Sequence, residues 1–373
     1  MNRVLFILLT VMLSAGAYSM ASQPYTVSLL TCGPGNEPYQ LFGHTAIKVV
    51  YHNDEDKTVL YNYGTFLFDE SFMKKFIAGR LFYYLGEENM SEFLSTYQSE
   101  NRWVTERPLQ LDSTQSTSLV KALQWNAQEA NKYYLYDFMN NNCCTKPRDL
   151  LEKLGVQWNR KNISDFTYRK AVDEYVHNEW MDLGIDLLLG SRVDKCIDNR
   201  ALMFLPEYLD ENVKLARIHG KPVNDEIFTL YQNTPSKSPW IPSPTLVFWI
   251  GLLMLIAMQI SGRYKKLLTI KSNSILIFTG IIGWLLIYMW LFTDHPYVKN
   301  NFNILWAFPL HFPLAFLLWQ SKNKKFINGY INFSLLLLAA AILIWIFKIQ
   351  VFHKAVLPYI LLLVWSLQHH RKS

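Results

Sequence analysis

The last third of the chain decides most of what it can fold into. After Trp240 come five apolar spans, near residues 245–261, 274–292, 304–319, 331–347 and 355–367. A bilayer core needs about 20 apolar residues of helix, so the first, second and fourth spans are long enough to cross one. The third contains Pro309 and Pro313, and the fifth is short. The expectation is a transmembrane domain over residues 245–369 with about five helices.

The charges between the spans give an orientation. Arg263-Tyr264-Lys265-Lys266, Lys322-Asn323-Lys324-Lys325 and the tail His369-His370-Arg371-Lys372 are basic. The loop at residues 293–303 is not. Basic loops stay cytoplasmic. If the first span enters from outside, every basic loop falls inside. The formal charge of +6 is thereby spent on topology, and nucleic acid is not expected as a partner.

The N-terminus agrees with that orientation. Met1-Asn2-Arg3 is followed by an apolar run at 4–13 and by Ser14-Ala15-Gly16-Ala17. This is the layout of a secretory signal peptide or anchor over residues 1–21, with Ala15-x-Ala17 or Ser19-x-Ala21 as cleavage site. Either form exports the domain behind it. The expected location is the cytoplasmic (inner) membrane, multi-pass, with the N-terminal domain in the periplasm. Four cysteines, Cys32, Cys143, Cys144 and Cys196, then lie in an oxidising compartment that allows one disulfide. Neighbours Cys143 and Cys144 suit one another poorly for that bond.

Residues 22–234 have the composition of a globular domain, and residues 235–244, rich in proline and serine, read as a linker. Residues 26–31, 45–51 and 58–63 are β-branched and apolar and read as strands, with a polar turn at 52–56. Helical patterns occupy 115–131, 147–154 (stopping at Gly155), 170–175 and 180–189. The order implies an α+β domain.

Two segments carry chemistry. In one, a turn containing Gly33, Gly35 and Gly43 delivers His44 to the start of a strand. In the other, polar Asn140-Asn141-Asn142 delivers Cys143-Cys144 to the start of a helix. A helix start favours a thiolate, and its free N–H groups suit an oxyanion. A histidine that takes the thiol proton completes a nucleophilic pair. Asn62, on the strand returning beside His44, is the candidate orienter, with Tyr61 and Tyr63 behind it. Residue chemistry alone does not separate Cys143 from Cys144. Phe82, Tyr83 and Tyr84 read as core or as a wall for an acyl chain. No zinc-ligand spacing and no phosphate-cradling loop occur, so neither metal nor cofactor is expected.

The order His44-Thr45-Ala46-Ile47, a strand holding Asn62, then Asn142-Cys143 opening a helix resembles the circularly permuted NlpC/P60 papain-like fold. Lecithin–retinol acyltransferase and its phospholipase/acyltransferase relatives share it. That resemblance makes Cys143 the nucleophile and His44 the base, with Asn62 where those relatives carry a second histidine.

A wider resemblance covers nearly the whole chain. Ser28-Leu29-Leu30-Thr31-Cys32-x-Pro34-Gly35, Phe42-Gly43-His44, Tyr61-Asn62-Tyr63-Gly64-Thr65-Phe66, Asn142-Cys143-x-Thr145-Lys146-x-Arg148-Asp149 and Phe204-Leu205-Pro206 are similar to the periplasmic domain of the Bacteroidota-type lipoprotein N-acyltransferase family. Asp294-His295-Pro296 and Asn303-x-Leu305-Trp306-x-x-Pro309 are similar to its membrane part. The resemblance implies a fatty acyl chain passing from a membrane phospholipid to the α-amino group of a diacylated lipoprotein. Lys146 and Arg148 then become expected headgroup or thiolate partners, and His295, Asn303 and Trp306 expected lipid-site residues at the outer membrane boundary.

Overall fold

The computed structural model describes residues 23–52, 54, 57–67, 69–159, 166–176, 179–224, 226–234, 240–320 and 323–372. The segment read as signal peptide or anchor, and the first half of the linker, lie outside the described residues.

The N-terminal half runs β1 (Tyr25–Cys32), β2 (His44–Tyr51), β3 (Lys57–Thr65), α1 (Phe72–Ala78), β4 (Phe82–Glu88), α2 (Met90–Ser99), β5 (Val104–Pro108), α3 (Ser113–Ala127), β6 (Tyr133–Leu135) and α4 (Thr145–Lys153). It continues through β7 (Val156–Gln157), α5 (Tyr168–Asp173), α6 (Glu179–Leu188), α7 (Asn199–Leu202), α8 (Pro206–Leu215), β8 (Arg217–Ile218), β9 (Lys221–Pro222) and β10 (Phe228–Tyr231). Seven strands form one sheet in the order β10-β5-β1-β2-β3-β4-β6. Every neighbouring pair is antiparallel.

Strand β1 is buried along its last six residues, which marks it as central. Successive side chains point to opposite faces. Leu29, Ile47, Tyr61 and Tyr63 therefore pack under Leu119 and Leu123 of α3, Leu151 of α4 and Leu209 of α8. Leu30, Ala46 and Leu60 turn the other way, onto Phe93 and Tyr97 of α2. Each fully buried leucine of this kind contributes about 1.5–3 kcal/mol. The result is the expected α+β architecture, with the helix that follows Cys143 packed on an antiparallel sheet that begins a strand at His44.

Helix α3 starts two residues earlier than the pattern 115–131 implies and stops at Ala127. Asp112 accepts from the Gln115 amide and Gln115 reaches back to Asp112, a reciprocal cap that fixes the start.

The C-terminal half holds α9 (Pro244–Ser261), α10 (Lys265–Phe292), α11 (His311–Gln320), α12 (Lys324–Ile346) and α13 (Val356–Lys372). Helices α9, α10 and α12 are long and apolar enough to cross a membrane. The third apolar span is broken before Pro309, where a short turn at Phe302–Leu305 precedes α11, and Pro313 falls in that helix's first turn. Bare backbone at Gly283 lets α10 approach the chain at residue 307, since a Cβ there would stand 2.0 Å from the Ala307 carbonyl.

The loop at residues 293–303 joins the halves. Asn301 donates to the Leu187 and Leu188 carbonyls at 2.8 and 3.1 Å, and so satisfies the open end of α6. The Gly190 amide donates to the Tyr297 carbonyl at 2.8 Å. Arg80 pairs with Asp294 at 2.6 Å.

Candidate active site

His44 stands at the first position of β2, opposite Cys32 of β1. Gly43 precedes it with φ +73°, a conformation that suits glycine, and a Cβ there would lie 2.5 Å from the Cys32 carbonyl. The turn therefore fixes where the imidazole starts.

His44 Nε2 lies 2.5 Å from Asn62 Oδ1. A side-chain amide oxygen only accepts, so Nε2 carries the proton and Nδ1 is the basic atom of the neutral ring. Asn62 is steadied in turn by donating to Glu88 at 3.2 Å. Glu88 has no signal in the sequence; only the β3–β4 pairing across Asn62 and Gly86 reveals it.

Cys143 sits two residues before α4. Buried Asn142 builds the loop. Its Oδ1 accepts from the Cys144 and Thr145 amides, both at 2.9 Å. Its Nδ2 donates to the Phe138 and Phe204 carbonyls at 2.8 and 2.7 Å. Thr45, next to His44, donates to the Cys143 carbonyl at 2.7 Å. These bonds bring β2 and the cysteine loop together across nearly a hundred residues.

They also correct one expectation. The amides of Cys144 and Thr145 are occupied by Asn142, and that of Lys146 by the Asn142 carbonyl at 3.2 Å. The first-turn N–H groups expected to receive an oxyanion are already used.

Cys143 and His44 meet over Gly64. A Cβ on Gly64 would lie 3.5 Å from Cys143 Cβ and 3.6 Å from His44 Cε1. The thiol of Cys143 is held well below its usual range. A hydrogen bond from Cys144 acts most strongly, burial opposes it, and the charge and hydrogen bond of His44 assist. His44 is pulled down by burial and up, more strongly in sum, by the Cys143 charge and by its bonds to Cys143 and Asn62. Buried Cys144 moves upward, because burial disfavours its thiolate and it donates to Cys143. The two sulfurs are 3.8 Å apart. Cys143 is shifted down and lies beside His44, whereas Cys144 is shifted up and fully buried, a difference that separates the cysteines that residue chemistry left equal.

Tyrosines form one wall. Burial first, and then the Cys143 charge, push the Tyr83 hydroxyl up to about 12. The same two influences raise Tyr134 and Tyr136. Of the triplet read as core or wall, Tyr83 is buried while Phe82 is 59% exposed.

The remaining expected residues fall elsewhere or have other partners. Lys146 is half-buried with its ammonium 4.5 Å from the Tyr134 ring centre, and burial lowers it. Arg148 is buried, bonded to Asp149 at 2.9 Å and to the Arg200 carbonyl at 3.1 Å. His295 bonds the Phe76 carbonyl at 2.9 Å. Buried Asn303 donates to the Asp186 and Leu187 carbonyls and accepts from Trp306 at 2.8 Å. Trp306 packs inside the helical bundle against Tyr359, ring centres 5.5 Å apart. Asn303 and Trp306 thus belong to the join between the halves rather than to the Cys143 surroundings. All four cysteines are free, so the allowed disulfide is not formed.

No curated protein and no solved structure matches the chain. Residues 17–174 match the family model described as the Lnb N-terminal periplasmic domain, and residues 236–371 match the one described as the Lnb transmembrane domain. With a match in each half, this membrane protein with a periplasmic domain belongs to the Lnb family.

Proposed function

We propose that the protein is a Cys–His acyltransferase at the outer face of the cytoplasmic membrane. It moves a fatty acyl chain from a phospholipid to the α-amino group of a diacylglyceryl-cysteine on a lipoprotein. The observation that carries this reading is the Cys143–His44–Asn62 assembly, joined through the loop at 293–303 to helices that suit a membrane.

The Cys143 thiolate attacks the donor ester carbonyl. The sulfur–carbon bond forms, and the C–O bond to the glycerol breaks. His44 gives its proton to the departing alkoxide, which leaves as a lysophospholipid. We assign the transient oxyanion to the Cys143 amide, since the next three amides are engaged. The neutral amine of the acceptor then attacks the thioester. His44 takes the amine's proton, the C–S bond breaks, and an N-acyl lipoprotein departs. A thioester divides one difficult exchange into two easier ones. We assign Lys146 to the donor phosphate, because it is the half-buried cation beside the tyrosine wall.

Incubating the purified protein with phospholipid alone, then measuring the intact mass, tests the first half. One added acyl group, mapped to Cys143, is expected. A diacylated lipopeptide should discharge it and become N-acylated. Release of free fatty acid with no N-acylated peptide would assign the site to a hydrolase instead. A peptidoglycan amidase on the same fold predicts no acyl adduct at all.

A further inference from the structure

Helix α1 has apolar residues at 72, 73, 76 and 77, and lysines at 74 and 75. Phe72 is buried, but Met73, Phe76 and Ile77 are 60, 48 and 40% exposed. A short helix with this division suits the boundary between headgroups and acyl chains.

Its position agrees with that. The Asp294 amide donates to the Ala78 carbonyl at 2.9 Å, and His295 bonds the Phe76 carbonyl at 2.9 Å. Gly79 has φ +72°, and a Cβ there would lie 2.9 Å from the His295 amide. Helix α1 is thereby pinned within three residues of the end of α10, a helix fit to cross a membrane. Leu291 and Phe292 at that end are 68 and 66% exposed.

From α1 a run of rings leads inward. Phe76 stacks on Phe72 at 6.1 Å, Phe72 meets Phe66 at 5.3 Å, and Phe66 meets Tyr83 at 5.1 Å. Tyr83 stacks on Tyr136 at 4.1 Å. Both pack with Tyr134, whose ring carries the Lys146 ammonium at 4.5 Å, three residues after Cys143. The series runs unbroken from the helix beside the bundle to the wall of the nucleophile.

We propose that α1 seats its apolar face in the outer leaflet, and that the acyl chain of a donor phospholipid reaches Cys143 along Phe76, Phe72, Phe66, Tyr83 and Tyr136. This rests on the acyl-transfer reading for its destination, and on the α1 contacts alone for its membrane seat. Lys74 then faces headgroup phosphates, while Lys75 pairs with Asp69 at 3.2 Å and the rings guide the chain.

Two measurements test it with the full-length protein. Benzoylphenylalanine is placed at Met73 or Ile77 in a Cys143→Ala background, in phosphatidylethanolamine vesicles, and irradiated. A phospholipid-mass adduct is expected at both positions and none at Trp125, exposed to 62% on α3. No adduct at 73 and 77, or an equal adduct at 125, overturns the seat whatever the enzyme does. The double variant Met73→Asp/Ile77→Asp is then compared with wild type on a vesicle donor and on a monomeric short-chain phospholipid. The ratio of Cys143 acylation rates, vesicle over soluble, should fall at least about tenfold. An unchanged ratio overturns the route. If wild type acquires no acyl group from either donor, the acyl-transfer reading fails, while the crosslink still judges α1.

Discussion

Asn140 donates to the Tyr297 hydroxyl at 2.8 Å, across 157 positions of chain. Asn140 lies three residues before Cys143, and Tyr297 lies in the loop at residues 293–303. The same Asn140 is tied to Asp137 at 3.0 Å. The cysteine loop is thus held by its own turn on one side and by the membrane part on the other. Removing the hydroxyl, Tyr297→Phe, deletes the Asn140 bond, with a net worth of about 0.5–1.5 kcal/mol, and the hydroxyl contact with Tyr168. Acylation from vesicles should fall about two- to tenfold, while iodoacetamide still alkylates Cys143 at the wild-type rate; mass spectrometry reads both.

Cys144 is the first cause of the depressed Cys143 thiol. Cys144→Ala removes the donor, so the Cys143 value must rise. The pair is competent above the lowered Cys143 value and below the raised His44 value. Alkylation rate against pH should show the acid limb of the variant displaced upward. An acid limb in the wild-type place would show that Cys144 does not tune the thiolate. Cys143→Ser and His44→Ala are expected to abolish acyl transfer.

Asn62 orients His44 and is itself held by Glu88. Asn62→Ala frees the ring to turn. Proton transfer by a positioned side chain contributes about 10²–10⁴-fold, so a loss on the order of 10²-fold in turnover is expected. Glu88→Gln keeps a carbonyl acceptor for the Asn62 amide and should cost much less. Turnover of a soluble ester in both variants separates the two.

Gly64 has φ +93° and lies against both Cys143 and His44. Gly64→Ala imposes the left-handed penalty of about 1–2 kcal/mol. It also adds a methyl between nucleophile and base. Lower thermal stability together with slower thiol alkylation is expected; a change in neither would place the two side chains apart.

Arg169 is buried and bonded to Asp186 and to Asp194, the latter at 2.7 Å. Asp186 also offers its backbone carbonyl to Asn303 at 3.1 Å. Taking away the cation strands two buried carboxylates, a change that costs about 3–5 kcal/mol. Arg169→Met should therefore lower the unfolding midpoint of the periplasmic part sharply, measured by denaturant titration in detergent.

Much of this is legible in the sequence where the cause is local. The three strands expected from β-branched runs begin and end within two residues of β1, β2 and β3. Pro309 lies where the third span is interrupted, since a proline lacks the donor a helix needs, whereas Pro313 is accommodated in the first turn of α11. The features that stay hidden depend on contacts distant in sequence. The occupation of the Cys144 and Thr145 amides comes from a buried asparagine whose other end is held by Phe204. Arg148 looks available because a charge in a helix's first turn often faces water; burial beside Asp149 and Arg200 decides otherwise. Helix α1 carries no periodic signal long enough to read, since it is seven residues long.

The sheet's two edges lead to the helical bundle by different routes. From β10 the chain itself continues toward α9, and beyond β6 the Asn140 turn is clasped by Tyr297. A domain bonded to the bundle at Asn140–Tyr297, Arg80–Asp294 and Asn301–Leu187 is braced against swinging, which would keep Cys143 at one height. Encounters are then confined to a plane: turnover should follow the number of lipid partners per unit of surface, and diluting vesicles at fixed composition should leave it unchanged.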